Sequence, residues 1–96
     1  MIVEHVVLPV IPGREEEFEA DFARARLIIS AMPGFNGLTL SRQLEQPNLY
    51  LLLVEWATLE DHTVGFRKSA EYQDWRAILH PYYDPFPEVT HFEPVA

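Results

Sequence analysis

The 96-residue chain contains no cysteine, so disulfides, thiol nucleophiles and thiolate metal sites are excluded. Positive charge is scarce as well: seven Lys and Arg face fifteen Asp and Glu, for a formal charge of −8 at pH 7. That balance argues against nucleic acid, whose phosphates attract Lys and Arg, and against anionic membrane surfaces; its main effect is solubility. No apolar run approaches the ~20 residues needed to span a bilayer. The N-terminus opens directly into a strand-like run, without the charged, apolar and cleavage regions of a signal peptide. A soluble, cytoplasmic protein is the expectation. The nucleophile elbow, the phosphate loop and the dinucleotide fingerprint are missing too, as are repeats, linkers and low-complexity stretches. Domains of roughly 100–150 residues are the commonest, so residues 1–96 are read as one domain.

What is present is apolar and aromatic: 48% hydrophobic residues, with six Phe, four Tyr and two Trp, enough for a packed core. The stretch from Leu49 to His62 organises the rest. Strand side chains alternate, so Tyr50, Leu52, Val54 and Trp56 point one way and Leu49, Leu51, Leu53 and Glu55 the other. Both faces are therefore largely apolar, whereas a sheet wet on one side alternates apolar and polar residues. One short chain supplies helices for one face only. A chain of this size buries about 60–65% of its unfolded surface, so a second copy is the economical cover. A homodimer is expected through the face carrying Leu51 and Leu53, or through the opposite face if the helices lie on theirs.

In order along the chain, Ile2 to Pro9 reads as a first strand, with Ile2, Glu4, Val6 and Leu8 on one face and Val3, His5 and Val7 on the other. Pro12-Gly13 breaks it. Arg14 to Glu17 then opens a helix with carboxylates where the helix dipole favours them. Phe18, Phe22, Ala25, Ile29 and Met32 make one amphipathic stripe, ended by Pro33-Gly34. Phe35 to Gln43 is a second strand and Glu45 to Asn48 a hairpin turn. After the central strand, Thr58 to Asp61 has the form of a capping box, opening a helix with Leu59, His62 and Phe66 on one face. Ser69 caps a further short helix bearing Tyr72, Trp75 and Leu79, which Pro81 stops. His80 to Pro87 is an aromatic, proline-rich connector. Val89 to Val95 is a last strand. The order β-α-β-β-α-β is the ferredoxin-like motif of the α+β class, with helices on one face of an antiparallel sheet. Phe18, Phe22, Ile29, Leu52 and Val54 are the expected core.

Several segments occur together in a recognisable order. They are Pro12-Gly13 before an acidic helix start, Pro33-Gly34-Phe35-Asn36-Gly37, Leu53-Val54-Glu55-Trp56 followed by Leu59-Glu60-Asp61-His62, and His91-Phe92-Glu93-Pro94-Val95. Across nearly the whole chain this set resembles the antibiotic biosynthesis monooxygenase family of the dimeric α+β barrel superfamily. The resemblance implies a homodimer whose two sheets face one another as a barrel, with a pocket between helices and sheet in each subunit. In enzymatic members it implies oxidation of phenols or anthrones by O2 without metal, haem or flavin. Haem-degrading relatives carry a ligating His on the last helix and an Asn on the first strand; the matching positions here are Arg76 and Val6, so haem degradation is not expected.

His62 is the first candidate for chemistry. Sharing a stripe with Phe66, it faces the sheet or pocket, and an imidazole of ordinary pKa suits a general base on a phenol. The competing reading is a core histidine satisfied by a hydrogen bond. Arg76 is the candidate charge stabiliser, against a surface ion pair with Asp74 or a glutamate. Phe66, Tyr72 and Trp75 are the candidate substrate walls, against plain core. His5 and His91 lie on neighbouring strands, but no further ligands appear at metal-site spacing, so no metal is expected, and no cofactor. Glu55 is assigned to the dimer seam. Tyr82, Tyr83 and Phe86 either cap the pocket or form an arm onto the other subunit, the arm being preferred. Oxidation of a small aromatic compound is the leading function. A non-catalytic dimer that binds small hydrophobic molecules is the alternative, and an isomerase or cyclase the third.

Overall fold

The computed structural model describes all 96 residues. Four antiparallel strands, β1 (Ile2–Pro9), β2 (Phe35–Arg42), β3 (Leu49–Trp56) and β4 (Val89–Phe92), lie in the order β2-β3-β1-β4. Helices α1 (Glu15–Ile29) and α2 (Ala70–Leu79) make the second layer. A π-helical segment, Asp61–Phe66, joins β3 to α2, and a 3-10 turn, His80–Tyr82, follows. This is the expected βαββαβ arrangement.

Register sets which side chains meet. Val6 pairs with Leu52, Glu4 with Val54, and Leu40 and Leu38 with the same two residues from the other side. Tyr50, Leu52, Val54 and Trp56 therefore face the helices, and all four are buried. From α1, Phe18, Phe22, Ala25 and Ile29 descend onto them at helical spacing; a fully buried Phe contributes about 1.5–3 kcal/mol. Met32 lies beyond the end of α1 and packs only partly, so the stripe is one turn shorter than its sequence suggests. The other face of β3 has no cover within the chain. Leu49, Leu51 and Leu53 are half-buried there, beside the exposed side chains of Val7 and Phe92.

The β3–α2 crossover carries the site and is tightly specified. Asp61 N–H donates to Thr58 Oγ1 and Thr58 N–H to Asp61 Oδ2, both at 3.1 Å, a reciprocal cap. Gly34 packs against this cap at φ +82°, where any Cβ would collide with the Asp61 carboxylate. The following turn is wider than α: Arg67 N–H bonds to His62 O, five residues back. It buries His62 and Phe66 but leaves Leu59 at 40% exposed, so Leu59 does not share their face. Ser69 then caps α2, its Oγ accepting from Tyr72 N–H at 3.1 Å.

The connector differs from expectation. Tyr82 is core, packed on Phe18 and bonded to Asp21 rather than reaching outward. Backbone bonds from Ile11 N–H to Tyr82 O and from Asp84 N–H to Pro9 O hold the connector to the end of β1. The last strand stops at Phe92, and residues 93–96 are exposed.

Candidate functional site

Between the helices and the β1–β4 side of the sheet lies a cavity of about 450 Å³, within the range of small-molecule sites. Strand residues Glu4, Val6, Leu8 and Leu52 make its floor. His62, Phe66 and Arg67 enter from the π-helical turn and its cap, and Tyr72 and Trp75 from α2. His80, Tyr83, Phe86 and Pro87 of the connector, with Val89 of β4, complete the wall. The aromatic rings brace one another edge to face, Phe66 lying 5.3 Å from Tyr72 and 5.7 Å from Trp75. Such pairs are worth about 0.5–1.5 kcal/mol beyond area burial.

Polarity is concentrated at one point. Of seventeen buried residues, fifteen are apolar or aromatic and two, Glu4 and His62, are ionisable in the ordinary pH range. The two touch: His62 Nε2 lies 3.3 Å from Glu4 Oε1, which also accepts from Trp56 Nε1 at 3.0 Å. The imidazole stacks on the Trp56 indole at 5.5 Å. Its other nitrogen, Nδ1, is 2.8 Å from His91 Nε2. Burial pushes the Glu4 carboxyl above the usual carboxylate range, against the Trp56 hydrogen bond and the Arg67 charge, which lower it. Burial also pushes His62 down to about 3, with the charges of Arg67 and His91 acting in the same direction. Although the distance would suit an ion pair, both shifts favour uncharged forms. Burial thus works against charge on both members of the pair, and Arg67 is the one guanidinium on the cavity wall.

His62, Phe66, Tyr72 and Trp75 thus stand together around one cavity, and Arg76 does not join them. Arg76 is exposed and outside the cavity. Helix α2 turns Trp75 and Leu79 inward, and the next residue is rotated by about 100°. The arginine that lines the cavity is Arg67. His62, expected as an imidazole of ordinary basicity, is held down to about 3 by burial. His5 and His91 lie on opposite faces of the sheet, since His91 pairs with Glu4 and His5 with Thr90. Of the connector aromatics, Tyr83 and Phe86 line the cavity.

Sequence reasoning missed Glu4, Arg67 and the His62–His91 contact. For Glu4 a signal existed: it is the one charged residue on the face shared by Ile2, Val6 and Leu8.

Comparison with known proteins gives a consistent outcome. A family profile described as antibiotic biosynthesis monooxygenase matches residues 1–78. The uncharacterized protein YczJ of Bacillus subtilis (strain 168) is 53% identical over 95 residues, covering 99% of this chain and 100% of YczJ. A crystal structure from Bordetella bronchiseptica, provisionally named an antibiotic biosynthesis monooxygenase, superposes with a TM-score of 0.94 at 39% identity, covering 99% of this chain and 97% of that one. SnoaB, a cofactor-independent oxygenase from Streptomyces nogalater, superposes with a TM-score of 0.79 at 23% identity over 99% and 94% of the two chains.

Proposed function

The chain belongs to the antibiotic biosynthesis monooxygenase family, and from that premise we propose that it is a cofactor-independent monooxygenase oxidising a small phenol, quinol or anthrone-like compound with O2. The observation that carries the reading is the Glu4–His62 pair, the one buried ionisable pair in the chain, on the floor of an aromatic-walled cavity. The description of SnoaB as a cofactor-independent oxygenase points the same way.

The chemistry asks little of the protein beyond proton handling. For an anthrone-like CH2 group, loss of one proton gives a carbanion that is its own reductant. The carbon passes two electrons to O2 as the C–O bond forms, giving a peroxide anion that takes up a proton. Loss of the second C–H proton then breaks the O–O bond, leaving a ketone and water. Such a cycle needs a group that accepts and returns protons near neutral pH, a cation beside the ionised substrate, and walls that exclude water. A carboxyl held above its usual range by burial suits the first task, with His62 as its partner. Arg67 serves the second, and Phe66, Tyr72, Trp75 and Tyr83 the third.

The same reading takes the working unit as a homodimer formed through the uncovered sheet face, where Val7 and Phe92 are 45% and 57% exposed beside Leu49, Leu51 and Leu53. One observation favours a second reading. Every buried side-chain polar atom already has a partner, as expected of a dimeric module that only binds hydrophobic molecules.

Oxygen uptake by metal-stripped protein, measured over a panel of anthrones, hydroquinones and catechols, separates the two. Monooxygenase activity should fall about 100-fold in Glu4→Gln and His62→Ala and remain near wild type in Arg76→Ala. Tight binding of panel compounds without oxygen uptake would establish the module instead.

A further inference from the structure

A histidine outside the cavity is bonded to the one inside it. His91 sits half-buried on β4, an edge strand of the sheet, and does not line the cavity. Its Nε2 nevertheless lies 2.8 Å from Nδ1 of His62, a residue only 3% exposed. We propose that Glu4, His62 and His91 form a proton relay between the cavity floor and the solvent edge of the sheet, with His91 as its outer end. The proposal deepens the monooxygenase reading, whose cycle must discharge and recover protons, and it rests on that reading for its purpose.

The geometry fits transfer in sequence. A carboxyl and an imidazole can each accept a proton at one atom and release another from a different atom. A proton arriving on Glu4 Oε2 lets the proton on Oε1 move to His62 Nε2. The Nδ1 proton of His62 then moves to His91 Nε2, and His91 gives its Nδ1 proton to water. Each step breaks one N–H or O–H bond and forms another, and the three groups keep their charges, each left in its other tautomer. Return of a proton to the cavity runs the chain backwards.

Two other readings fit less well. A shared metal would need Glu4 and His91 on the same nitrogen side of His62, whereas they approach Nε2 and Nδ1, whose lone pairs diverge. A static hydrogen-bond network would not call for an amphoteric group at each of three successive positions.

The charged and titratable groups around the relay also suit it. Arg67 faces Glu4, His62 and His91. Tyr83 faces Glu4 from the connector and Tyr72 faces Tyr83 from α2, while His80 closes the same cavity. Burial disfavours the charged forms of Tyr83 and His80 and, with Arg67, that of His91. The nearby cation therefore disfavours a proton coming to rest on either imidazole.

The test measures solvent exchange of the His62 ring proton in the full chain by 15N-resolved NMR. Exchange in the wild type should be faster than 3% exposure alone would permit. His91→Phe should slow it by about tenfold or more, as should His91→Gln, which keeps a hydrogen bond but cannot pass a proton on. His5→Gln, on the opposite face, should leave it unchanged, and free imidazole should restore the rate in His91→Phe. Backbone amide spectra confirm that each variant is folded, and His91→Gln serves if His91→Phe is not. Equal or faster exchange in both His91 variants overturns the relay, whatever the oxygen electrode shows. For a substrate the wild type oxidises, His91→Gln should lower kcat with KM unchanged; wild-type protein that consumes no oxygen defeats the monooxygenase reading while the exchange measurement still decides the relay.

Discussion

Of the three carboxyls that accept a hydrogen bond from an aromatic side chain, Asp21 and Glu4 respond in opposite ways. Asp21 accepts from Tyr82 Oη at 2.5 Å, and Glu4 from Trp56 Nε1 at 3.0 Å. Asp21 is held below the usual carboxylate range by the Tyr82 bond and then by Arg24. Glu4 is pushed above it, because burial outweighs the Trp56 bond and the Arg67 charge. Their side chains are 35% and 8% exposed. The shorter bond belongs to the wetter group, where water and Arg24 stabilise the charge. Local bonding is similar, and dehydration decides whether the charged or the uncharged carboxyl is favoured.

The harshest way to break this contrast is to remove the dry donor. Trp56 is fully buried, so Trp56→Ala should cost about 3–5 kcal/mol and leave Glu4 without its donor. A denaturation midpoint unchanged by that substitution would contradict the burial on which the contrast rests. Phe22→Ala should cost a similar ~3–5 kcal/mol while leaving the polar pair intact. It separates loss of core from loss of the network.

Assembly comes next. Leu51→Arg on the uncovered face should shift the proposed dimer to a species of 11.1 kDa in sedimentation equilibrium at micromolar concentration, with Glu4 and Asp21 undisturbed. Wild-type protein that is already wholly monomeric under those conditions rules out the dimer.

The pH profile sharpens the comparison further. The folded-state pKa of Glu4 is raised, so its contribution to stability is full below its ordinary value of 4.5 and is lost as pH rises through the folded value. That of His62 is lowered, so its contribution is full above 6.5 and is lost as pH falls towards about 3. Stability followed by thermal unfolding should therefore peak between these limits. Glu4→Gln should flatten the alkaline side and His62→Gln the acid side. If neither variant changes the profile, the pair is not dry. Asp21, with a lowered pKa, contributes stability that is lost only as pH falls below its ordinary 3.8. The smallest expected effect is that of Tyr82→Phe, which should raise the Asp21 pKa measured by carbon NMR and move the unfolding midpoint less than Trp56→Ala does.

Much of this architecture is legible in local pattern. The spacing of Phe18, Phe22, Ala25 and Ile29 states which side of α1 is buried. Thr58 with Asp61, and Ser69, mark where the crossover begins and where α2 starts, and their side chains make the caps foretold. The alternation in β3 announces two apolar faces. Such features are set by residues within a few positions of one another, so backbone geometry alone decides them. That Phe66, Tyr72 and Trp75 turn inward, where they line the cavity, follows from the same short-range spacing.

The site's polar centre was not, because it depends on strand register between distant segments. Glu4 becomes a buried acid only when β1 pairs with β3 and the crossover lays His62 against it. His91 becomes its outer neighbour only when β4 adds to the other edge of β1. Arg67 reaches the cavity because the crossover winds as a π-helix, the hydrogen bond from Arg67 N–H to His62 O shifting the phase that an α-helical wheel assumes, whereas Arg76 points away because α2 turns Trp75 and Leu79 inward. By itself the sequence determined the elements, their buried stripes and their caps, all matters of short-range periodicity. Which ionisable groups lose their water, and which of them touch, was decided only by the tertiary structure, since desolvation belongs to the packed assembly of strands and helices and to no single segment.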